Sequence, residues 1–144
     1  MTTAADLPPT GLWRRLAAIV YDSFLLFAVL VLATIVLLPF TGGEAVAAGN
    51  PFYLPYLLAV SYLFLGWFWT HGGQTLGMRA WRIRAQTFAG YEMTWGQALK
   101  RFGAALLAWA PSGAGFVWQW LDADGLAWHD RLSGTYLAVL PKKR

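Results

Sequence analysis

The sequence predicts an all-α membrane protein with two transmembrane helices, a broken re-entrant or interfacial helical hairpin, and a small cytoplasmic β-hairpin. Of its 144 residues, 58% are hydrophobic and 12% are charged, about half the charged fraction of a typical soluble domain. Two long apolar stretches are followed by a third that glycines and a proline interrupt. The length leaves room for one domain, so residues 1–144 are treated as a single unit.

The first predicted span covers about residues 15–40. Residues 16–40 carry one formal charge, Asp22. A helix of that length rises roughly 37 Å at about 1.5 Å per residue, enough to cross a hydrocarbon core of about 30 Å. A cleaved signal peptide is the alternative, but its apolar region is typically about 7–15 residues long. The length therefore favours a retained helix.

The second predicted span covers residues 52–70, which contain no formal charge and have tyrosines and tryptophans towards both ends. Such aromatic rings favour the membrane interface. The next segment, HGGQTLG, is rich in turn-forming residues, and Met78–Gln86 then alternates cationic and apolar residues. With Tyr91–Trp95 after a short turn, this alternation predicts a β-hairpin. Thr94 and Gln97 have the spacing of a capping box at the start of a helix.

The third apolar segment, about residues 98–121, contains Pro111, Gly113 and Gly115 near its midpoint. These residues should break the helix into two arms, each reaching only about 14 Å, or half the hydrocarbon core. The segment is therefore predicted to be re-entrant or interfacial. Residues 122–140 have apolar side chains at helix-like spacing, which predicts a C-terminal segment that docks on the rest of the domain.

The cations predict the orientation in the membrane. They occur near both termini and between the second and third segments, and none occurs in residues 41–50. By the positive-inside rule, both termini and residues 71–101 are cytoplasmic in a multi-pass protein of the cell inner membrane. Attraction to anionic lipid headgroups, worth about 1 kcal/mol per cation, accounts for these charges. Nucleic acid is therefore not expected as a partner.

Asp22 requires a polar partner because a charge at the bilayer centre costs about 2.5–3.5 kcal/mol on insertion scales. Arg15 lies seven residues earlier, within about 20° on the same helical face and roughly 10 Å away along the axis. The expected partner is Arg15 or a polar group of the third segment. A buried pair that fixes helix register and a functional ion or proton site both remain open.

A second polar cluster, His129-Asp130-Arg131, lies in the C-terminal segment. If this segment docks beneath the helices, Asp130 is expected to accept hydrogen bonds from Arg15, which would then serve two carboxylates. His129 titrates near neutrality and is a candidate proton exchanger. Arg131 is a further candidate member of the network. A purely stabilising interfacial network is the alternative.

Three features together resemble the RDD family of small membrane proteins. They are Arg15 followed by Asp22, the stretch GGQTLGMRAWRIRA at 72–85, and the stretch WHDRLSGTYL at 128–137. The resemblance implies that Arg15, Asp22 and Asp130 are the arginine and two aspartates for which the family is named. Transport has been proposed for the family, including cation/proton antiport for some members, so the resemblance implies a fold and these three residues and does not define a reaction.

The sequence contains no cysteine, no phosphate-binding or dinucleotide glycine motif, and no zinc-ligand spacing, so we expect neither an enzyme nor a bound metal or cofactor. An intramembrane serine protease using Ser112 and His129 is set aside, because two spans cannot enclose such a dyad.

The favoured function is transport or permeation of an ion or small solute. Two spans are too few to enclose a pathway, so a homo-oligomer is expected. The alternative is an accessory or scaffold subunit that docks on a partner membrane protein.

Overall fold

Two long antiparallel helices form the largest part of the fold. The computed structural model describes residues 6–109, 118, 121–124, 126 and 128–142. Helix α1 spans Leu12–Leu37 and continues as a 3₁₀ turn over Leu38–Thr41, and helix α2 spans Tyr53–Thr70. The hydroxyl of Tyr56 donates to the carbonyl of Ala33 at 2.9 Å, so the end of α1 lies beside the start of α2. Both helices match the residue ranges predicted from the apolar runs.

One helical stretch within the described ranges is long and apolar enough to cross a membrane. It is the 30-residue stretch Leu12–Thr41, which combines α1 with its 3₁₀ extension. Most of its outward side chains are large and apolar, and Phe24 and Phe27 are exposed. Such a surface is suited to contact with lipid tails.

The short elements gather at the end of the helical pair where α1 begins and α2 ends. They are α3 (Leu76–Ala80), β1 (Ile83–Thr87), α4 (Trp95–Trp109), α5 (Trp128–Ser133) and β2 (Thr135–Val139). Strands β1 and β2 pair antiparallel, with Ile83 opposite Val139. The N-terminal segment extends this sheet, since the N–H of Thr10 donates to the carbonyl of Leu137 at 2.7 Å. The beginning and the end of the described chain therefore lie together.

The predicted β-hairpin between Met78–Gln86 and Tyr91–Trp95 is wrong. After β1 the chain makes a turn, in which the N–H of Thr87 donates to the carbonyl of Tyr91 at 2.9 Å, and then enters α4. Met93 is buried in the core instead of pairing in a ladder. The strand partner is β2, within a segment for which only helix-like docking was predicted. Residues 76–80 are also helical, so the alternating stretch becomes a strand only from Ile83.

Helix α4 begins as its capping box predicts. The N–H of Thr94 donates to Oε1 of Gln97 at 3.0 Å, and the N–H of Gln97 donates to Oγ1 of Thr94 at 3.3 Å. Tyr62 of α2 packs edge-to-face on Trp95 and donates its hydroxyl to the Trp95 carbonyl at 2.9 Å. The predicted break at Pro111–Gly115 lies outside the described residues.

The apolar core lies between the helical pair and the sheet. Small side chains let the helices and strands approach closely, and larger ones fill the remaining space. Its buried members are Ala18, Trp69, Met78, Ile83, Ala85, Met93, Ala98 and Leu137.

Gly77 holds α3 against α1, because a Cβ atom there would lie 2.5 Å from the carbonyl oxygen of Ala18. We therefore predict that Gly77→Ala destabilises the protein by about 1–3 kcal/mol through overpacking. Gly103→Ala is the matched control, since a Cβ atom there meets nothing within 4 Å. Inside a helix that change should stabilise by about 0.5–1 kcal/mol. Unfolding in detergent micelles measures both, and equal stability of Gly77→Ala and wild type would contradict the prediction.

Candidate functional site

Asp130 accepts hydrogen bonds from two buried arginines. Its Oδ2 atom lies 2.8 Å from Nη2 of Arg15, and its Oδ1 atom lies 2.7 Å from Nη1 of Arg101. The side chains of all three residues are at most 3% exposed. A buried carboxylate of this kind needs close cationic partners to offset the loss of its hydration. The three residues are called the Asp130 cluster below.

Three helices supply the Asp130 cluster. Arg15 is in the first turns of α1, Arg101 is in the middle of α4, and Asp130 is in α5. Nη1 of Arg101 also donates to Oγ1 of Thr135 at 3.2 Å, and the hydroxyls of Ser133 and Thr135 lie 2.5 Å apart. The cluster thus extends into the first residue of β2.

The expectation that Arg15 serves two carboxylates is wrong, since one carboxylate serves two arginines. The sequence pattern identifies Arg101 only as one of the cations of the cytoplasmic segment, residues 71–101. The signal that could have found its role is its position on α4, three residues after Ala98 and three before Ala104. Both alanines are buried, and residues three apart share a helical face. Arg101 therefore lies within the buried stripe of the helix.

Asp22 is bound by α3 and not by Arg15. The hydroxyl of Thr75 donates to Oδ2 of Asp22, and the N–H of Gly77 donates to Oδ1 at 2.9 Å. Thr75 is also the N-cap of α3, because its Oγ1 accepts from the N–H of Met78 at 3.2 Å. The expected partners, Arg15 or a group of the third segment, are replaced by the GQTLG segment. Asp22 is half-buried and points into the protein.

Asp22 and the two arginines line the same cavity. Its volume is about 300 Å³, and it lies between α1, α2 and α4. The lining is mostly apolar and includes Leu26, Leu58, Leu65, Phe102 and Leu106. Its polar residues are Arg15, Asp22, Ser23, Ser61, Trp69, Thr75 and Arg101. An apolar cavity with a few convergent polar groups is the usual form of a small-molecule site.

Arg131 belongs to a separate surface contact. Its Nη2 atom lies 2.6 Å from Oδ1 of Asp122 and 3.2 Å from Oδ2 of Asp124. The bonds from Arg131 lower the pKa of Asp122 to about 2. The structure therefore does not bring Arg131 to the cavity. The backbone of His129 is part of α5, and its side chain lies outside the described part of the chain.

A profile of the RDD family matches residues 9–134. The chain belongs to the RDD family. The match covers α1 to α5 and includes every residue of the Asp130 cluster, together with Asp22 and its partners in α3. No curated protein and no solved structure shows significant similarity to the chain. In this RDD protein Arg15 pairs with Asp130 and Asp22 makes a separate contact with α3, and both Arg15 and Asp22 line the cavity.

Asp130 is the shared member of its cluster, so its removal should have the largest effect. We predict that Asp130→Asn destabilises the protein by about 3 kcal/mol or more, because it removes the buried carboxylate that two buried guanidiniums share. Arg15→Gln should destabilise less, since Arg101 still pairs with Asp130. Asp124→Asn is the matched control because its side chain is 71% exposed. Chemical unfolding in micelles provides the measurement, and a larger loss for Arg15→Gln would contradict this order.

Proposed function

We propose that this RDD protein transports or passes an ion or small solute across the cell inner membrane. The observation that supports the proposal is the cavity between α1, α2 and α4, which is lined both by Asp22 and by the two arginines of the Asp130 cluster. Charged groups inside a membrane domain that face a cavity usually belong to a substrate or ion pathway. Asp22 is the proposed working residue, because only the uncharged Thr75 and Gly77 donate to it in the described part of the chain.

Both α1 and α2 are proposed to cross the bilayer, with both termini in the cytoplasm. The two ends of the described chain meet at the sheet, at the end of the helical pair where the cations occur. The opposite end carries the loop over residues 42–52, which contains no Lys or Arg. This distribution supports the orientation predicted by the positive-inside rule.

Cysteine labelling tests the orientation directly, since the chain has no native cysteine. Glu44→Cys and Lys142→Cys place single thiols at exposed positions on opposite ends of the helical pair. In intact cells, a membrane-impermeant maleimide should label residue 44 and should reach residue 142 only after lysis. Labelling of residue 142 from outside would contradict the proposed two crossings.

A symmetric homo-oligomer is the proposed working form, because two crossing helices are too few to enclose a continuous pathway. Assembly with other membrane proteins as an accessory subunit remains the second reading. It is supported by large exposed apolar side chains on α2, such as Leu54, Leu63 and Trp67. Mass measurement of the purified protein in nanodiscs separates the two: a homo-oligomer favours transport, and a monomer favours the accessory role.

Asp22→Asn is the variant that tests transport. An asparagine can still accept the Gly77 N–H at Oδ1, so α3 should remain docked while the ionisable group is lost. In proteoliposomes with trapped pH-sensitive dye, gradients of Na⁺, K⁺ and a small organic anion are imposed in separate runs. Wild type and Asp124→Asn should move protons or solute above the level of protein-free liposomes, and Asp22→Asn should not. Full flux in Asp22→Asn would refute the role of this residue.

A further inference from the structure

We propose that the cavity binds an amphipathic monoanion, a carboxylate with an apolar body, whose head is held by Arg101 and Trp69. This inference deepens the proposed function and rests on it for the movement of the ligand, although binding can be measured without flux. It depends on four observations: the free donors of Arg101, the free donor of Trp69, the charge of the Asp130 cluster, and the apolar wall.

Arg101 uses only one of its three nitrogens in the contacts of the described residues. Nη1 donates to Asp130 and to Thr135, while Nε and Nη2 have no acceptor within the described part of the chain. A guanidinium has five N–H donors, three of which belong to those two nitrogens. The residue is only 2% exposed and lines the cavity. An acceptor bound in the cavity would satisfy these donors of Arg101.

Trp69 presents a second donor of the same kind. Its side chain is 6% exposed and lines the cavity, and its Nε1 atom has no hydrogen-bond partner among the residues that the structure describes. The guanidinium carbon of Arg101 lies 5.6 Å from the centre of the indole ring. Indole and guanidinium groups donate and do not accept. Two neighbouring donor groups on one cavity therefore require a ligand that accepts, and a carboxylate has two oxygens for this purpose.

The charge of the Asp130 cluster favours an anion over a neutral acceptor. Two guanidiniums share the one carboxylate of Asp130, which leaves the cluster with one formal positive charge. Charge-assisted hydrogen bonds are roughly twice as strong as neutral ones. A cation would face two arginines here, so the cluster selects against it.

The rest of the cavity determines the body of the ligand. Leucines and a phenylalanine form much of the remaining wall, and their side chains offer no hydrogen-bonding groups. A water-sized group occupies about 30 Å³, so a cavity of about 300 Å³ holds a molecule of roughly ten non-hydrogen atoms. A short aliphatic or aromatic carboxylate has this size and this division between head and body.

Asp22 should also affect ligand binding, because its side chain lines the same cavity. A negative charge at Asp22 opposes a second negative charge on the ligand. Asp22→Asn should therefore tighten the binding of a carboxylate severalfold, whereas it should weaken the binding of a cation. The direction of this single effect distinguishes the two ligand classes.

The test is calorimetric titration of the full-length protein in phosphatidylcholine nanodiscs, with empty nanodiscs as the baseline. The probe is 3-phenylpropanoate, and 3-phenylpropan-1-ol and 3-phenylpropylamine are its neutral and cationic counterparts. The carboxylate should bind more tightly than both. Trp69→Phe removes one N–H and keeps the ring, and it should weaken binding about three- to tenfold. Arg101→Gln should weaken it by about tenfold or more and leaves Arg15 paired with Asp130.

Matched controls lie next to each changed residue. Trp67→Phe alters an exposed tryptophan of α2, and Lys100→Gln removes an exposed cation of α4. Both variants should bind the carboxylate like wild type. Equal binding of the alcohol or the amine would overturn the proposal, as would wild-type affinity in Trp69→Phe. That variant decides the matter even if Arg101→Gln does not fold.

A second titration with oleate distinguishes a fatty acid within the bilayer from a soluble carboxylate. If the affinity for either probe depends on Arg101 and Trp69, the ligand class is supported, and the probe concerned identifies the source of the ligand. If the affinity for neither probe depends on these residues, the ligand class is refuted. The outcome is separable from the flux assay. If Asp22→Asn abolishes flux but no carboxylate binds, the transport proposal stands and the ligand class is wrong. If the carboxylate binds but no proton or solute crosses the membrane, the ligand class stands and the transport proposal is wrong.

Discussion

Asp130 sets the arrangement of the domain because it needs two arginines from distant parts of the chain. Arg15 comes from the start of α1 and Arg101 from the middle of α4. Removing one partner of a buried ion pair is strongly destabilising, so the carboxylate holds three helices to one meeting point. Helix α5 ends at Ser133 and β2 begins at Thr135. The same contact therefore places β2 between β1 and the N-terminal segment in the sheet.

The cavity follows from this arrangement. Helices α1 and α4 converge at the Asp130 cluster, while α2 packs on α4 through Tyr62 and Trp95. The space left between the three helices is lined by the charged side chains of Arg15, Asp22 and Arg101 and by a larger number of apolar side chains. Helix α3 adds Thr75 and docks Asp22 at the same space. A site with a polar head and an apolar body is thus a product of helix packing around one buried carboxylate.

Sequence patterns were sufficient to predict the long helices. They were insufficient to predict which strand pairs with β1 and which side chains pair with Asp22 and Asp130. Uninterrupted apolar runs predicted α1 and α2, and Thr94 with Gln97 predicted the start of α4. Alternation in residues 78–86 predicted a strand, but period-two alternation does not identify the partner strand, which lies about fifty residues later. A helical wheel related Asp22 to Arg15 alone, because it cannot include Thr75 on another element. The pairing of Arg101 with Asp130 was not predicted, because the positive-inside rule already accounted for a cation at that position.

The two aspartates are bound by different kinds of donor, and this difference separates their roles. Asp130 is held by two permanent cations, so loss of its charge would break two buried ion pairs at once. Asp22 accepts from a hydroxyl and a backbone N–H. In the described chain no cation pairs with it, so a proton can arrive or leave without leaving a cation unpaired. We infer that Asp130 belongs to the scaffold, and that Asp22 is the carboxylate whose charge can change during a working cycle.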